Sequence, residues 1–77
     1  NSITVTSRNN NIFITNKAQI KINSLVIFNM LGQKIMEAER KVLSKSEIML
    51  PFLFTKGIYL VHIDSNQGKY TYKIINQ

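Results

Sequence analysis

Residues Ser24–Met36 read SLVIFNMLGQKIM. The apolar run from Leu25 to Phe28 stops at Asn29, turns through Leu31-Gly32, and resumes with Gln33-Lys34-Ile35-Met36. That is a β-hairpin encoded locally: Gly32 takes positive φ at no steric cost, and the flanking residues are strand formers. Leu25–Asn29 is apolar on both faces, which predicts a central strand covered on both sides or one at a sandwich corner. Gln33–Arg40 is expected to be the return strand, with Ile35 pointing one way and Lys34 and Met36 the other.

A second hairpin is written near the C-terminus, where residues 57–75 read GIYLVHIDSNQGKYTYKII. From Ile58 to Asp64, Tyr59, Val61 and Ile63 share one face and Ile58, Leu60 and His62 the other. Ser65-Asn66-Gln67-Gly68 supplies the turn. Lys69–Ile75 is the last strand, with Tyr70, Tyr72 and Ile74 on one face.

Shorter strands fill in the rest. Ile3-Thr4-Val5-Thr6 alternates and is β-branched. The polar stretch Ser7–Asn11 is rich in Asn, which tolerates positive φ, and Ile12–Thr15 is a second strand. Those two strands either form a hairpin or diverge into two sheets. Asn16–Asn23 reads as a strand edge or an extended connection. Glu37–Leu43 has some helical propensity but no cap, and is expected to be a strand end plus loop. Ser46–Leu50 is a further strand, ended by Pro51, which has no donor for a ladder. The apolar loop Pro51–Gly57 is expected to plug one end with its aromatics. Seven short strands with regularly spaced turns predict an all-β, seven-stranded Ig-like antiparallel β-sandwich.

Size and charge bound the function. Seventy-seven residues make one domain, in which folding hides roughly 60% of the chain's surface. The chain has no cysteine, which excludes disulfides, thiolate metal sites and a cysteine nucleophile. Ten Lys/Arg against four Asp/Glu give a net charge of +6, which favours anionic partners. The cations are spread along the chain and read as a solvated face. Apolar stretches fall well short of the ~20 residues of a membrane span, so membrane insertion is not expected.

The chemistry of turnover finds no foothold. The acids are Glu37, Glu39, Glu47 and Asp64, and only the first two lie close in sequence. His62 is the single histidine, so a multi-histidine metal site is impossible. No serine or threonine has a base nearby in sequence, and the glycines form no phosphate loop. The chain is read as a non-enzyme without metal or cofactor. Nucleic-acid binding requires exposed aromatics and basic residues on one sheet face. In Lys69-Tyr70-Thr71-Tyr72-Lys73 the two alternate onto opposite faces, so no nucleic-acid partner is expected.

Three segments in order, Val26–Ile35 (VIFNMLGQKI), Lys56–Ile63 (KGIYLVHI) and Gly68 with Lys73-Ile74-Ile75, resemble the C-terminal sorting domain of the type IX (Por) secretion system. The resemblance covers nearly all of the chain and rests on Asn29, Gly32, Gln33, Lys34, Gly57, Tyr59, Val61 and Gly68. Many members carry Pro-Asn-Pro after the first strand, where this chain has Thr6-Ser7-Arg8-Asn9-Asn10-Asn11.

The resemblance implies a sorting module, residues 1–77, at the end of a larger exported protein of a Gram-negative, Bacteroidota-type bacterium. The initial Asn and absent signal peptide fit a piece of something longer, with cleavage expected at or before Asn1. The implied partners are the N-terminal cargo domain, the outer-membrane translocon that reads the signal from the periplasm, and a sortase-like protease at the cell surface. After transit the cargo is attached at the surface or released. Gly32 and Gly57 are explained by backbone conformation, and Tyr59, Val61 and Ile63 by the core. Recognition is expected at the final strand and tail, Lys73, Ile74, Ile75, Asn76 and Gln77, through strand pairing at a sheet edge. Deleting these five residues is expected to leave a folded but unexported cargo. The alternative is an Ig-like adhesion or carbohydrate-binding accessory module, with Phe52, Phe54 or Tyr70 in a concave patch.

Overall fold

The computed structural model describes residues 3–77, so the cleavage expected at or before Asn1 lies outside the described residues. Seven strands fold in the order β1 (Ile3–Arg8), β2 (Asn11–Asn16), β3 (Ile22–Asn29), β4 (Lys34–Glu37), β5 (Glu47–Pro51), β6 (Gly57–Ser65) and β7 (Gly68–Asn76). Two antiparallel sheets result, one with order β1-β2-β5 and one with order β4-β3-β6-β7. This is the Ig-like sandwich that the alternation predicts.

β1 and β2 form a hairpin, settling one open alternative. Its loop is two residues long, since Ser7, Arg8 and Asn11 join the strands. Asn9 and Asn10 both take positive φ (52° and 61°), the backbone that a tight hairpin of this twist requires and that Asn tolerates. Asn16–Asn23 is a connection up to Ile22, where β3 begins.

The core is an aliphatic sheet-on-sheet layer. Ile12, Ile14, Leu25, Ile27, Val61 and Ile63 are fully buried, each stabilising the fold by roughly 1.5–3 kcal/mol relative to exposure. On β6, Tyr59, Val61 and Ile63 face inward, and on β7 Ile74 is buried with Tyr70 and Tyr72 packed at the core margin. The lysines of β7 face solvent, opposite the tyrosines, as the alternation predicts.

Three expectations need correction. β3 is central within its sheet, but only its inner face is covered; Val26 and Phe28 remain half-buried on an outer face that no layer of this domain covers. The return strand is shorter than Gln33–Arg40, because β4 ends at Glu37. A 3-10 turn then replaces the expected loop at Arg40–Val42. It is held by Val42 N–H to Glu39 O (3.2 Å) and Leu43 N–H to Arg40 O (3.1 Å), and it drives Leu43 into the core. Pro51 closes β5 from inside the strand, opposite Asn11. Its missing donor costs little because β5 is an edge strand.

The strand directions give the sandwich two distinct ends. At one lie the β1–β2 turn, the β3–β4 turn, the 52–56 loop and the C-terminal end of β7. At the other lie the start of β1, the β6–β7 turn and the connections around Lys21 and Ser46.

Candidate functional site

The sequence motifs converge on the first of these ends. In the β3–β4 turn, Asn29 Oδ1 accepts hydrogen bonds from Leu31 N–H and Gln33 N–H, both 3.0 Å. Its Nδ2 donates to Gln33 Oε1 at 2.8 Å. Asn29 O also accepts from Gly32 N–H. Gly32 has φ +83°, and a Cβ there would meet nothing within 4 Å, so the constraint is conformational rather than spatial. The motif residues Asn29, Gly32 and Gln33 are thereby consumed in stiffening the turn. Lys34 is half compensated, with its Nζ 3.1 Å from Glu37 Oε1 on the solvent side.

The loop from Phe52 to Lys56 closes the same end. Phe52 is fully buried and packs edge-on to Tyr59 at 4.9 Å between ring centres, so the expected aromatic plug is present. Phe54 stacks over Phe52 from outside, tilted at 4.8 Å, and is half exposed. Tyr59 OH donates to Thr55 O at 2.7 Å. The motif residues Gly57, Tyr59 and Val61 thus open and anchor β6: Gly57 takes φ +150°, and the other two lie in the core. Gly68 begins β7 at the opposite end, where its carbonyl accepts from Ser65 Oγ at 2.8 Å.

The tail residues divide into two groups. Lys73, Ile75 and Gln77 are exposed, whereas Ile74 and Asn76 point inward and are buried. Asn76 Nδ2 donates to both Phe54 O (2.8 Å) and Thr55 O (3.1 Å), clamping the loop to the last strand. Removing residues 73–77 would delete a core side chain and this clamp together. The expectation that the truncated domain stays folded is therefore withdrawn.

β7 is the edge strand of the four-stranded sheet. Ser7 Oγ on β1 donates to Ile75 O at 2.6 Å, so that carbonyl is directed away from β6. In an antiparallel strand the backbone groups alternate sides, which directs those of Thr71 and Lys73 outward as well. β1 flanks this edge, and Tyr72 OH reaches Ile3 O at 3.2 Å. Among the described residues these are side-chain bonds across a seam, and no ladder joins β1 to β7.

The accessory-module alternative loses its geometry. Phe52 is buried, and Tyr70 OH donates to Gln67 O at the opposite end from Phe54. The three aromatics share no concave patch. His62 is half-buried with Nδ1 3.1 Å from Thr71 Oγ1, and no carboxylate stands opposite it on β7 or β3. A shallow depression of about 370 Å³ beside Ile20, Lys21, Arg40 and Leu43 has no acid or histidine in its lining.

Fold and site together define a small Ig-like sandwich domain whose recurrent polar residues build turns. The family model described as "Secretion system C-terminal sorting domain" matches residues 6–77, and the chain belongs to that family. It is thus a C-terminal sorting signal of type IX secretion, a domain that marks its cargo for export to the cell surface or the medium. A search of curated proteins finds no match to the chain.

Proposed function

We propose that the signal is read at β7, by strand pairing along its outer edge together with the exposed side chains of Lys73, Ile75 and Gln77. The observation that carries this reading is the position of β7 at the edge of its sheet, with the backbone of Thr71 and Lys73 directed outward. A receptor strand entering there displaces the Ser7–Ile75 bond across the seam and, among the described residues, breaks no ladder. Backbone pairing supplies affinity, and Lys73 supplies charge complementarity to an acidic reader.

In this reading the chain is the terminal module of a larger exported protein and carries no catalytic role. The reader is the outer-membrane translocon, met from the periplasm of a Bacteroidota-type bacterium. A sortase-like surface protease then removes the module from its cargo. β1 starts at the end of the sandwich opposite the tail, which keeps an N-terminally joined cargo clear of the recognition strand.

The test is Lys73→Pro. Proline at this position removes an outward N–H that β6 does not use, and edge strands tolerate it. With a reporter cargo in a type IX-competent host, Lys73→Pro is expected to lower export at least tenfold while the domain stays folded, and Lys73→Ala to lower it less. A folded Lys73→Pro variant exported as well as the parent would refute edge pairing.

A further inference from the structure

We infer that the end of the sandwich bearing the β3–β4 turn and the 52–56 loop is a preformed docking surface for an apolar, acid-rimmed site on a protein of the export machinery. This rests on the reading of the chain as a sorting signal and extends its contact surface from the β7 edge, which it meets at Lys73 and Ile75, across the end of the sandwich.

Seven large hydrophobic side chains are exposed among the described residues, and six of them lie at this end: Met30, Leu31, Leu53, Phe54, Ile58 and Ile75. Leu31 and Leu53, at 84% and 79% exposure, are the most prominent. Scattered apolar residues need no explanation, but a cluster on a small soluble domain marks an interaction site.

The acids, though not the cations, keep away from this end. Four of the ten cations, Arg8, Lys34, Lys56 and Lys73, belong to this end or the half of the sheet leading to it, and the other six lie toward the far end among the acids. All four acids lie elsewhere: Glu47 opposite Thr15 and Asp64 opposite Lys69 at the far end, Glu37 opposite Val26 in mid-sheet, and Glu39 beyond it. An apolar surface rimmed by cations is complementary to an apolar pocket rimmed by carboxylates.

Rigidity distinguishes a protein partner from a lipid surface. Asn29 holds Met30 and Leu31 outward by bonding the turn on both sides. Asn76 and Tyr59 hold the backbone beside Leu53 and Phe54. A fluid bilayer gains nothing from a fixed spacing between apolar groups, whereas a shaped pocket does, because less freedom is lost on binding. The cargo enters from the opposite end, which leaves this surface clear.

The test compares Leu31→Glu, Leu53→Glu and the double variant with Met49→Glu, all in a reporter cargo carrying residues 1–77 in a type IX-competent host. Met49 is 61% exposed on the outer face of the other sheet and serves as the matched control. The double variant is expected to lose export at least tenfold with an unchanged melting temperature, and Met49→Glu to stay within about twofold of the parent. Should the double glutamate variant fail to fold, Leu31→Ser with Leu53→Ser carries the same expectation. Export of the folded double variant at the parent level overturns the inference and leaves the sorting reading intact, as does an equal loss in Met49→Glu. Failure of the parent fusion itself overturns both. Purified parent domain is expected not to sediment with phosphatidylglycerol vesicles; sedimentation abolished by the leucine substitutions would replace the protein partner with a membrane.

Discussion

Asn76 is the residue at which a small change of chemistry has the largest readable consequence. Its side chain is buried and gives both donors of its amide to two carbonyls of the 52–56 loop. Asn76→Ala removes both bonds, which costs about 1–2 kcal/mol, while Thr55 O keeps the one from Tyr59 OH. Asn76→Asp has nearly the same shape, but its ionised carboxylate is an acceptor only and faces two further acceptors in a desolvated place. Its cost is about 3 kcal/mol or more. In a domain of this size each kcal/mol moves the melting temperature by roughly 4–8 °C, so Asn76→Asp should melt well below Asn76→Ala at neutral pH.

The sign of the pH dependence follows. Burial and the two carbonyls raise the folded-state pKa of the introduced carboxyl above its unfolded value, so the native state binds the proton more tightly. The penalty is present above the folded pKa and disappears below the unfolded one, where the protonated carboxyl donates to one carbonyl. Thermal melts of parent, Asn76→Ala and Asn76→Asp between pH 7 and pH 4 read this directly. The deficit of Asn76→Asp relative to the parent should shrink on acidification, while that of Asn76→Ala should not change in the same way. An Asn76→Asp variant as stable as Asn76→Ala at neutral pH, or with a pH-independent deficit, would refute the clamp.

Two further outcomes are expected. Asn29→Ala, which frees the Leu31 and Gln33 amides and the Gln33 side chain, should cost about 1–2 kcal/mol and speed amide exchange in the turn; unchanged exchange at Leu31 and Gln33 would contradict its role. Phe52→Ala empties a fully buried aromatic site against Tyr59 and should cost about 3–5 kcal/mol, a large share of the stability of so small a domain, visible as a denaturant midpoint shifted without a change in slope.

The elements legible in the sequence were those whose signal is local. β6 alternates cleanly from Ile58 to Asp64, and its hairpin with β7 needs only the turn at Asn66-Gln67. The β3–β4 turn is likewise written in Asn29, Leu31, Gly32 and Gln33, four residues that bond among themselves. What the sequence hid depends on distant partners. Asn76 reads as a polar tail residue, yet it is buried because carbonyls 21 and 22 positions earlier return to meet it. Asn16 is similar: its side chain bonds the Ile20 backbone on both sides, and its own N–H bonds Ser46 O. Ser7 looked like part of a polar loop and instead bridges the seam to β7. The exposure of Leu53 was equally hidden, since the apolar 51–57 loop reads as an end plug until the sheets are placed.

The central claim, that this domain carries an export signal, is tested most directly by transplanting it. Residues 1–77 are fused behind a signal peptide and a fluorescent reporter and expressed in a bacterium with an intact type IX system and in its translocon deletion. Reporter at the surface or in the medium of the first strain and retained in the periplasm of the second is the expected result. Reporter retained in the periplasm of both strains, with the domain folded, would contradict the claim.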